Sequence, residues 1–207
     1  MQISQRYSSV IKEAFQRHYD EKSDVWTADI GMRVLPLLIE GKLRMKSHYR
    51  LLDIGCGTGE DALIYSSLCA QVTGVDICQH SCWDTVKKAC DNVNFYCTDF
   101  MEFNNDDGFN VIVDNGCLHH QTSDEIPAYL RKVRSSLTHN GYFVASTFYD
   151  PDKHTYTDGY CRIHHYFSTE ELDEKFIAAG FKIMDSVMIY RPKYQNYYRI
   201  TFCSVEL

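Results

Sequence analysis

Residues 50–65 read RLLDIGCGTGEDALIY, which is a short apolar run, a glycine-rich turn and the beginning of a helical pattern. This order is typical of the first strand, loop and helix of a nucleotide-binding α/β fold. Glycines let the backbone approach a ligand closely, and the N-terminus of the helix offers free amide donors. The segment therefore predicts a ligand-binding loop at the carboxyl end of a buried strand.

The spacing of the glycines narrows the class of ligand. Gly55, Gly57 and Gly59 form a GxGxG pattern, whereas a dinucleotide-binding loop requires glycine at the position of Glu60. Asp53 lies two residues before the first glycine, where a carboxylate repels phosphate and favours a cationic ligand. S-adenosylmethionine is such a ligand, because it carries a sulfonium and an α-ammonium group.

Three further apolar runs follow, and each ends in polar residues. The second run ends at Asp76, which can accept hydrogen bonds from both ribose hydroxyls, and the third ends at Asp99 and Phe100, which suit an adenine amino group and ring. The fourth run ends at residues 114–116, which we expect at the methionine end. Helical stretches separate these runs, so we expect a parallel sheet with crossover helices.

Taken in order, the motifs DIGCGTG, GVDI, CTDF and VDNGCLHH resemble those of the class I S-adenosylmethionine-dependent methyltransferases. The resemblance covers residues 49–207 and implies an α/β, Rossmann-like, seven-stranded, mostly parallel sheet with helices on both faces. It implies an antiparallel last strand, which agrees with two adjacent final runs that read as a hairpin. It also implies S-adenosylmethionine as cofactor, with S-adenosylhomocysteine as product. The residues expected to bind the cofactor are Asp53, Gly55, Cys56, Gly57, Gly59, Asp76, Ile77, Asp99, Phe100, Asp114, Asn115, Gly116 and Trp26.

The N-terminal segment, residues 1–48, has helical periodicity and is expected to form a lid on the methyltransferase domain at 49–207, within a single domain overall. Pro36 lies inside the second helical pattern and is expected to kink or split it. In related small-molecule methyltransferases such a segment closes over the cofactor. Trp26 would then stack near the sulfonium or anchor the segment, and Tyr19 is a candidate contact for the substrate.

Candidate residues for the methyl acceptor lie after the fourth and fifth runs. His119 is a candidate base or a wall of the pocket, and residues 150–168, which are rich in Tyr and His, are expected to form a loop or cap over the acceptor. We expect catalytic roles for His119, Tyr149 and His165, and substrate contacts from Tyr19, His120, Tyr160, Arg162 and Tyr166; His164 belongs to the same loop. The Cys and His spacings match no zinc signature, so no metal is expected.

Composition limits the class of acceptor. The net charge of −7 argues against nucleic acid as a partner, and no apolar run approaches the length that spans a membrane. Nine cysteines, an odd number, indicate reduced thiols in a cytoplasmic protein. The motif DNGCLHH also looks similar to that of the subgroup acting on thiols, tellurite and small metabolites, and this resemblance implies methyl transfer to an O, N or S atom of a small molecule. Two alternatives are a protein or peptide methyltransferase of the same fold and a cofactor-binding pseudo-enzyme.

Overall fold

The computed structural model describes residues 2–205, so Met1, Glu206 and Leu207, which the predicted domain ranges include, lie outside it. The helices are α1 Gln2–Asp20, α2 Ile30–Arg33, α3 Leu35–Lys42, α4 Asp61–Tyr65, α5 Trp83–Ala89, α6 Ile126–Ser136 and α7 Thr169–Ala178. The strands are β1 Arg50–Ile54, β2 Gln71–Asp76, β3 Val93–Cys97, β4 Phe109–Asn115, β5 Leu137–Tyr149, β6 His154–Thr157, β7 Ile163–Tyr166, β8 Lys182–Arg191 and β9 Asn196–Ser204. A 3-10 turn covers Leu118–His120.

Seven strands form one sheet in the order β3-β2-β1-β4-β5-β9-β8. Strands β1 to β5 are parallel to one another, whereas β9 pairs antiparallel with both β5 and β8. The Rossmann-like sheet with an antiparallel last strand, predicted from the motifs, is therefore confirmed. In such a sheet, ligands bind outside the carboxyl ends of the parallel strands.

Alternate residues of the central strands feed two core layers, because successive side chains of a strand point to opposite faces. Leu52 and Ile112 pack with residues of α6 and α7 on one face. Leu51 and Val111 pack with residues of α3, α4 and α5 on the other. Helices thus cover both faces, as predicted, and the sheet is held rigidly behind the ends of its strands.

Local sequence signals set several helix ends. Pro36 lies in the first turn of α3, where its missing N–H costs nothing, and the predicted helical segment is split into α2 and α3. The Ser168 side chain caps α7 by accepting a hydrogen bond of 3.2 Å from the backbone N–H of Glu171. Within residues 2–205, no helix has the length and apolar character required to cross a membrane.

The segment after β5 differs from the expected loop, because it folds into a hairpin of β6 and β7. The Asp158 carboxylate closes its turn by accepting hydrogen bonds from the backbone N–H groups of Tyr160 (2.9 Å) and Arg162 (3.0 Å). Strands of only four residues give too little alternation to be read from sequence. The hairpin stands beside the carboxyl end of β5, where Tyr149 bridges to Phe167.

Candidate active site

The glycine loop after β1 requires glycine at specific positions. Gly55, Gly57 and Gly59 all have positive φ, at 68°, 52° and 79°. A Cβ at Gly55 would lie 2.1 Å from Cys117 Sγ, and one at Gly59 would lie 2.5 Å from Phe95 Cζ. A side chain at either position would force its neighbours to move. With glycine there, the loop backbone is free to approach a ligand at the strand ends.

One cavity of about 500 Å³ runs from this loop across the carboxyl ends of the parallel strands to the β6–β7 hairpin. Its lining includes most of the residues predicted to bind cofactor: Asp53, Gly55, Cys56, Gly57, Asp76, Ile77, Asp99, Phe100, Asn115, Gly116 and Trp26. Gly59 lies outside the lining and shapes the loop. The fold thus brings together residues that are up to 90 positions apart in the sequence, from Trp26 to Gly116.

Buried carboxylates surround the glycine loop. Asp53 is only 3% exposed, and burial, together with the nearby carboxylates of Asp61, Asp76 and Asp114, raises its pKa well above the usual range. Among residues 2–205, Asp61 is the one of these four carboxylates that pairs with an arginine or lysine, through Arg33 at 2.5 Å. A cationic group in this part of the cavity would relieve the repulsion among the carboxylates. These carboxylates therefore fit a ligand that carries an ammonium and a sulfonium, and they disfavour a phosphate group.

The carboxylates at the ends of β2 and β3 have local partners. Asp76 accepts hydrogen bonds of 2.8 Å from the backbone N–H groups of Gly57 and Cys78, which fixes the carboxylate against the loop. Asp99 accepts from the backbone N–H of Met101 at 2.8 Å and from the hydroxyl of Ser8 on α1. Both carboxylates line the cavity, where each has room to accept from a bound ligand.

Asp114 differs from the expectation that it faces the methionine end. It is fully buried outside the cavity lining and accepts hydrogen bonds from the backbone N–H groups of Gly116 (3.0 Å), Cys117 (2.6 Å) and Leu118 (3.0 Å). The Tyr129 hydroxyl donates a fourth bond of 2.7 Å. Its carboxylate holds the loop after β4 in place, so the neighbouring backbone rather than Asp114 itself forms the wall of the cavity.

Helix α1 lies over the cavity and contributes residues along its length. Tyr19 lies at the glycine loop, with its ring edge-on to His80 at a centroid distance of 4.4 Å, and its hydroxyl would be 3.3 Å from a Cβ at Gly57. At the other end, the Tyr7 hydroxyl donates to the carbonyl of His120 and accepts from the N–H of Ile163. Tyr19 was predicted as a substrate contact, and the structure places it at the glycine loop, where the cofactor is expected.

Trp26 anchors α1 rather than standing alone over the cavity. Its indole N–H donates to the Tyr19 hydroxyl at 3.1 Å, and its ring packs edge-on against Phe15 at 5.2 Å. The Arg162 guanidinium lies 5.5 Å from the same ring. Of the two roles considered for Trp26, these contacts favour the anchoring role, because the cation already beside the ring belongs to the protein.

Beyond Gly116 the cavity becomes an aromatic chamber, formed by His119, Phe148, Tyr156, His164, Tyr166 and Tyr198. Several of its rings are nearly parallel. Phe148 stacks with Tyr166 at 4.7 Å and 9°, and with Tyr198 at 5.2 Å and 12°. Tyr156 stacks with His164 at 4.7 Å and 8°. Parallel ring faces of this kind favour a flat apolar ligand.

The histidines after β4 are buried and uncharged. The His119 ring lies 3.9 Å from that of Phe148, and burial lowers its pKa well below the usual value, with further lowering by His120 and His164. His120 donates from Nδ1 to the carbonyl of Ile163 at 2.7 Å, and burial lowers its pKa to about 3. The structure thus places His119, a predicted base, in the chamber, and gives His120 a structural bond.

Three residues expected at the acceptor lie outside the cavity lining. Tyr149 turns toward Tyr197, with a ring distance of 6.4 Å. His165 pairs through Nδ1 with the Thr155 hydroxyl at 2.8 Å, on the face of the hairpin away from the chamber. The Tyr160 ring packs against that of His18 on α1 at a centroid distance of 4.1 Å and a tilt of 41°. The alternation of side chains along β5 and β7 accounts for the first two, because neighbouring residues of a strand face opposite ways.

Arg162 and Tyr166 do line the cavity, although the guanidinium of Arg162 already has a carboxylate partner. Its Nη2 and Nε lie 2.7 and 2.9 Å from Asp158 Oδ2, so it is not free to bind an acidic acceptor. Tyr166 accepts a hydrogen bond from Asn196 at 3.1 Å. Asp158 and Phe148 were not predicted, and nothing in the local sequence marks them.

The comparisons with known proteins agree with the predicted family. A family model described as a methyltransferase domain matches residues 51–141. A sequence search of curated proteins finds no match. Among solved structures, the Burkholderia thailandensis 1,6-didemethyltoxoflavin-N1-methyltransferase, with 1,6-didemethyltoxoflavin and S-adenosylhomocysteine bound, has a TM-score of 0.92 and 28% identity over 98% of this chain and 90% of that chain.

Two more distant structures share the fold alone. The [4+2]-cyclase SpnF has a TM-score of 0.71 and 19% identity, over 84% of this chain and 80% of that chain. The N-methyltransferase NodS from Bradyrhizobium japonicum WM9, in complex with S-adenosyl-l-homocysteine, has a TM-score of 0.64 and 15% identity, over 84% and 85%. The matched methyltransferase domain and the Burkholderia structure together confirm the resemblance to the class I S-adenosylmethionine-dependent methyltransferases.

Proposed function

We propose that this protein transfers a methyl group from S-adenosylmethionine to a small, flat molecule, with a ring nitrogen as the favoured acceptor atom. The observation that carries the proposal is the single cavity that joins the carboxylate-rimmed glycine loop to the aromatic chamber under α1. A cofactor and a small acceptor would meet there side by side, and in-line methyl transfer requires that the two be aligned with water excluded.

The cofactor would occupy the glycine-loop end of the cavity. Asp53 and the loop backbone suit its methionine portion, Asp76 suits the ribose hydroxyls, and Asp99 suits the adenine amino group. When bound, S-adenosylmethionine supplies a methyl group already activated by its sulfonium. The work left to the chain is to bind, to orient the acceptor and to exclude water.

The acceptor would occupy the aromatic chamber. The parallel rings around Phe148 favour a flat molecule, and Arg191, the cation beside the Tyr198 ring at 4.2 Å, is already paired with Asp29. A strongly acidic acceptor therefore gains no free cation from it. The relative with 28% identity acts on a flat heterocycle, 1,6-didemethyltoxoflavin, which supports a similar class of acceptor here. The nine free cysteines of the present chain support a cytoplasmic location, which we include in the same proposal.

A radiolabelled methyl-transfer assay tests the proposal. The purified protein is incubated with methyl-labelled S-adenosylmethionine and a panel of flat nitrogen heterocycles that includes 1,6-didemethyltoxoflavin, with a lysate as a source of protein acceptors. We expect label in a small molecule, and thermal stabilisation by S-adenosylhomocysteine but not by NAD. Label confined to protein bands would instead favour the protein methyltransferase, and stabilisation with no transfer would favour the pseudo-enzyme.

A further inference from the structure

His164 on β7 is a buried ring of the aromatic chamber with one ring nitrogen unengaged. The residue is 8% exposed, and its Nε2 lies 2.9 Å from Asp158 Oδ2. Because a carboxylate only accepts, Nε2 is the nitrogen that carries the proton, so Nδ1 keeps its lone pair. Nδ1 has no hydrogen-bond partner among residues 2–205. A buried acceptor atom without a donor is costly, and Nδ1 is the atom of this ring left to accept a hydrogen bond or a proton.

Asp158 is built to hold this histidine in one orientation. Its Oδ1 accepts from the backbone N–H groups of Tyr160 and Arg162, and its Oδ2 accepts from the Arg162 guanidinium as well as from His164. These bonds keep the pKa of Asp158 well below its usual value despite partial burial. The carboxylate is therefore ionised at neutral pH and can stabilise a proton gained by the imidazole.

The groups around His164 favour its neutral form before reaction. Burial lowers the pKa of His164, and the Arg162 cation lowers it further, while the bond to Asp158 opposes both. The titratable residues that face the ring from the neighbouring elements are Tyr156 on β6, Asp158 and Arg162 in the turn, and His119 and His120 in the 3-10 turn. A neutral imidazole with a free lone pair can accept a proton at pH 7.

We propose that His164 Nδ1 accepts the proton from the atom that becomes methylated, with Asp158 as its positioning residue. The inference rests on the proposed function and makes the substrate class more specific: a flat heterocycle with an ionisable ring N–H. The acceptor nitrogen forms a bond to the methyl carbon as the carbon–sulfur bond breaks, and sulfur keeps that electron pair. The N–H electrons stay on the ring, the proton passes to Nδ1, and the imidazolium later releases it to solvent.

His119 is the rival base, and the contacts favour His164. His119 Nδ1 also lacks a partner, but the described contacts give its ring no carboxylate to fix the tautomer or to stabilise a positive charge. Its neighbours are the Phe148 ring at 3.9 Å and the His120 ring at 4.4 Å. The Asp–His arrangement at His164 supplies both features, as it does in other sites where a carboxylate orients a histidine base.

The test replaces His164 with glutamine, whose amide nitrogen can still donate to Asp158 while no atom remains at Nδ1. With 1,6-didemethyltoxoflavin as acceptor, we expect kcat at pH 7 to fall about 10²- to 10³-fold. KM for the acceptor and Kd for S-adenosylhomocysteine should change little. The deficit should shrink above the pH at which the acceptor itself loses its ring proton. His139→Gln, at an exposed position on β5, is the matched control and should match the unmodified protein.

A second variant, Asp158→Asn, keeps the acceptor oxygen but removes the charge. The negative charge of Asp158 stabilises the imidazolium form of His164, so its removal should move the acid limb of the kcat/KM profile to lower pH. This shift tests the role of His164 as the base even if the glutamine variant does not fold. His164→Gln activity close to that of the unmodified protein, or a deficit that is constant with pH, would overturn the base. Absence of transfer by the unmodified protein to any heterocycle would instead overturn the proposed function, and the base with it.

Discussion

Tyr129 and Tyr65 each bury a hydroxyl in one of the two core layers, but their hydrogen bonding differs. Tyr129 donates to Asp114 at 2.7 Å. The Tyr65 hydroxyl has no partner among the described residues. A buried hydrogen bond stabilises a fold modestly, whereas an unpaired buried hydroxyl destabilises it. Substitution of the two tyrosines therefore measures how much the Tyr129–Asp114 hydrogen bond, behind the loop after β4, contributes to the free energy of unfolding.

We expect Tyr129→Phe to lower the free energy of unfolding by about 1–2 kcal/mol, because Asp114 loses its hydroxyl donor. Tyr65→Phe should leave this free energy unchanged or raise it by up to about 1 kcal/mol. Urea unfolding at pH 7 measures both, and equal destabilisation by the two substitutions would contradict the hydrogen-bond assignment.

Among individual residues, the sequence predicted those whose role depends on neighbours along the chain. Asp53 and the three loop glycines were recognisable because the turn itself needs them. Asp114 was misplaced because the direction of a side chain at a strand end depends on the donors around it, which come here from the next loop and from α6. The sequence predicted a catalytic role for His165, and it did not show that His164 and His165 face opposite ways, because the β7 strand was not predicted.

Among the elements, α1 is the part of the fold that covers the cavity, and it packs on uncharged histidines. His18 of α1 lies edge-on to Trp26 at 5.1 Å, and Phe15 lies edge-on to His120 at 5.5 Å. Burial lowers the pKa of His18, and it lowers that of His120 to about 3. The packing of α1 is thus tied to histidines that stay neutral.

Acidification should therefore loosen α1. A histidine whose pKa is lowered in the folded state stabilises the fold fully above its unfolded pKa, about 6.5, and this stabilisation is lost as pH falls toward the folded value. For His120 the loss reaches roughly 2 kcal/mol at pH 5. Hydrogen exchange of residues 7–20, corrected for intrinsic rates, should rise between pH 7.5 and 5. Residues of β1 serve as the internal reference, and unchanged protection of α1 would contradict the prediction.

For the molecule as a whole, the important feature is that α1 contacts both ends of one cavity. Tyr19 lies against the glycine loop and Tyr7 joins the helix to the hairpin, through bonds of 3.0 Å to the carbonyl of His120 and 2.8 Å from the N–H of Ile163. A ligand that orders the helix at one end should order it at the other. Binding of cofactor and acceptor should therefore be coupled.

We expect saturating S-adenosylhomocysteine to lower the Kd of 1,6-didemethyltoxoflavin at least about fivefold, the low end of typical coupling. Isothermal titration calorimetry with and without S-adenosylhomocysteine measures the change. Tyr7→Phe, which removes both hydrogen bonds to the hairpin side, should reduce the coupling, whereas Tyr96→Phe, at an exposed position on β3, should not. Equal Kd values in the two titrations would show that α1 does not link the sites.

The sequence by itself determined the family, the sheet with its reversed last strand, and the loop at Asp53 to Gly59, because these depend on periodicity, spacing and backbone freedom within short segments. The tertiary structure decided which face of the hairpin lines the chamber, that Asp114 supports a loop rather than facing the cavity, and that Asp158 orients His164. These features depend on contacts between segments far apart in the chain, and short-range sequence patterns do not predict such contacts.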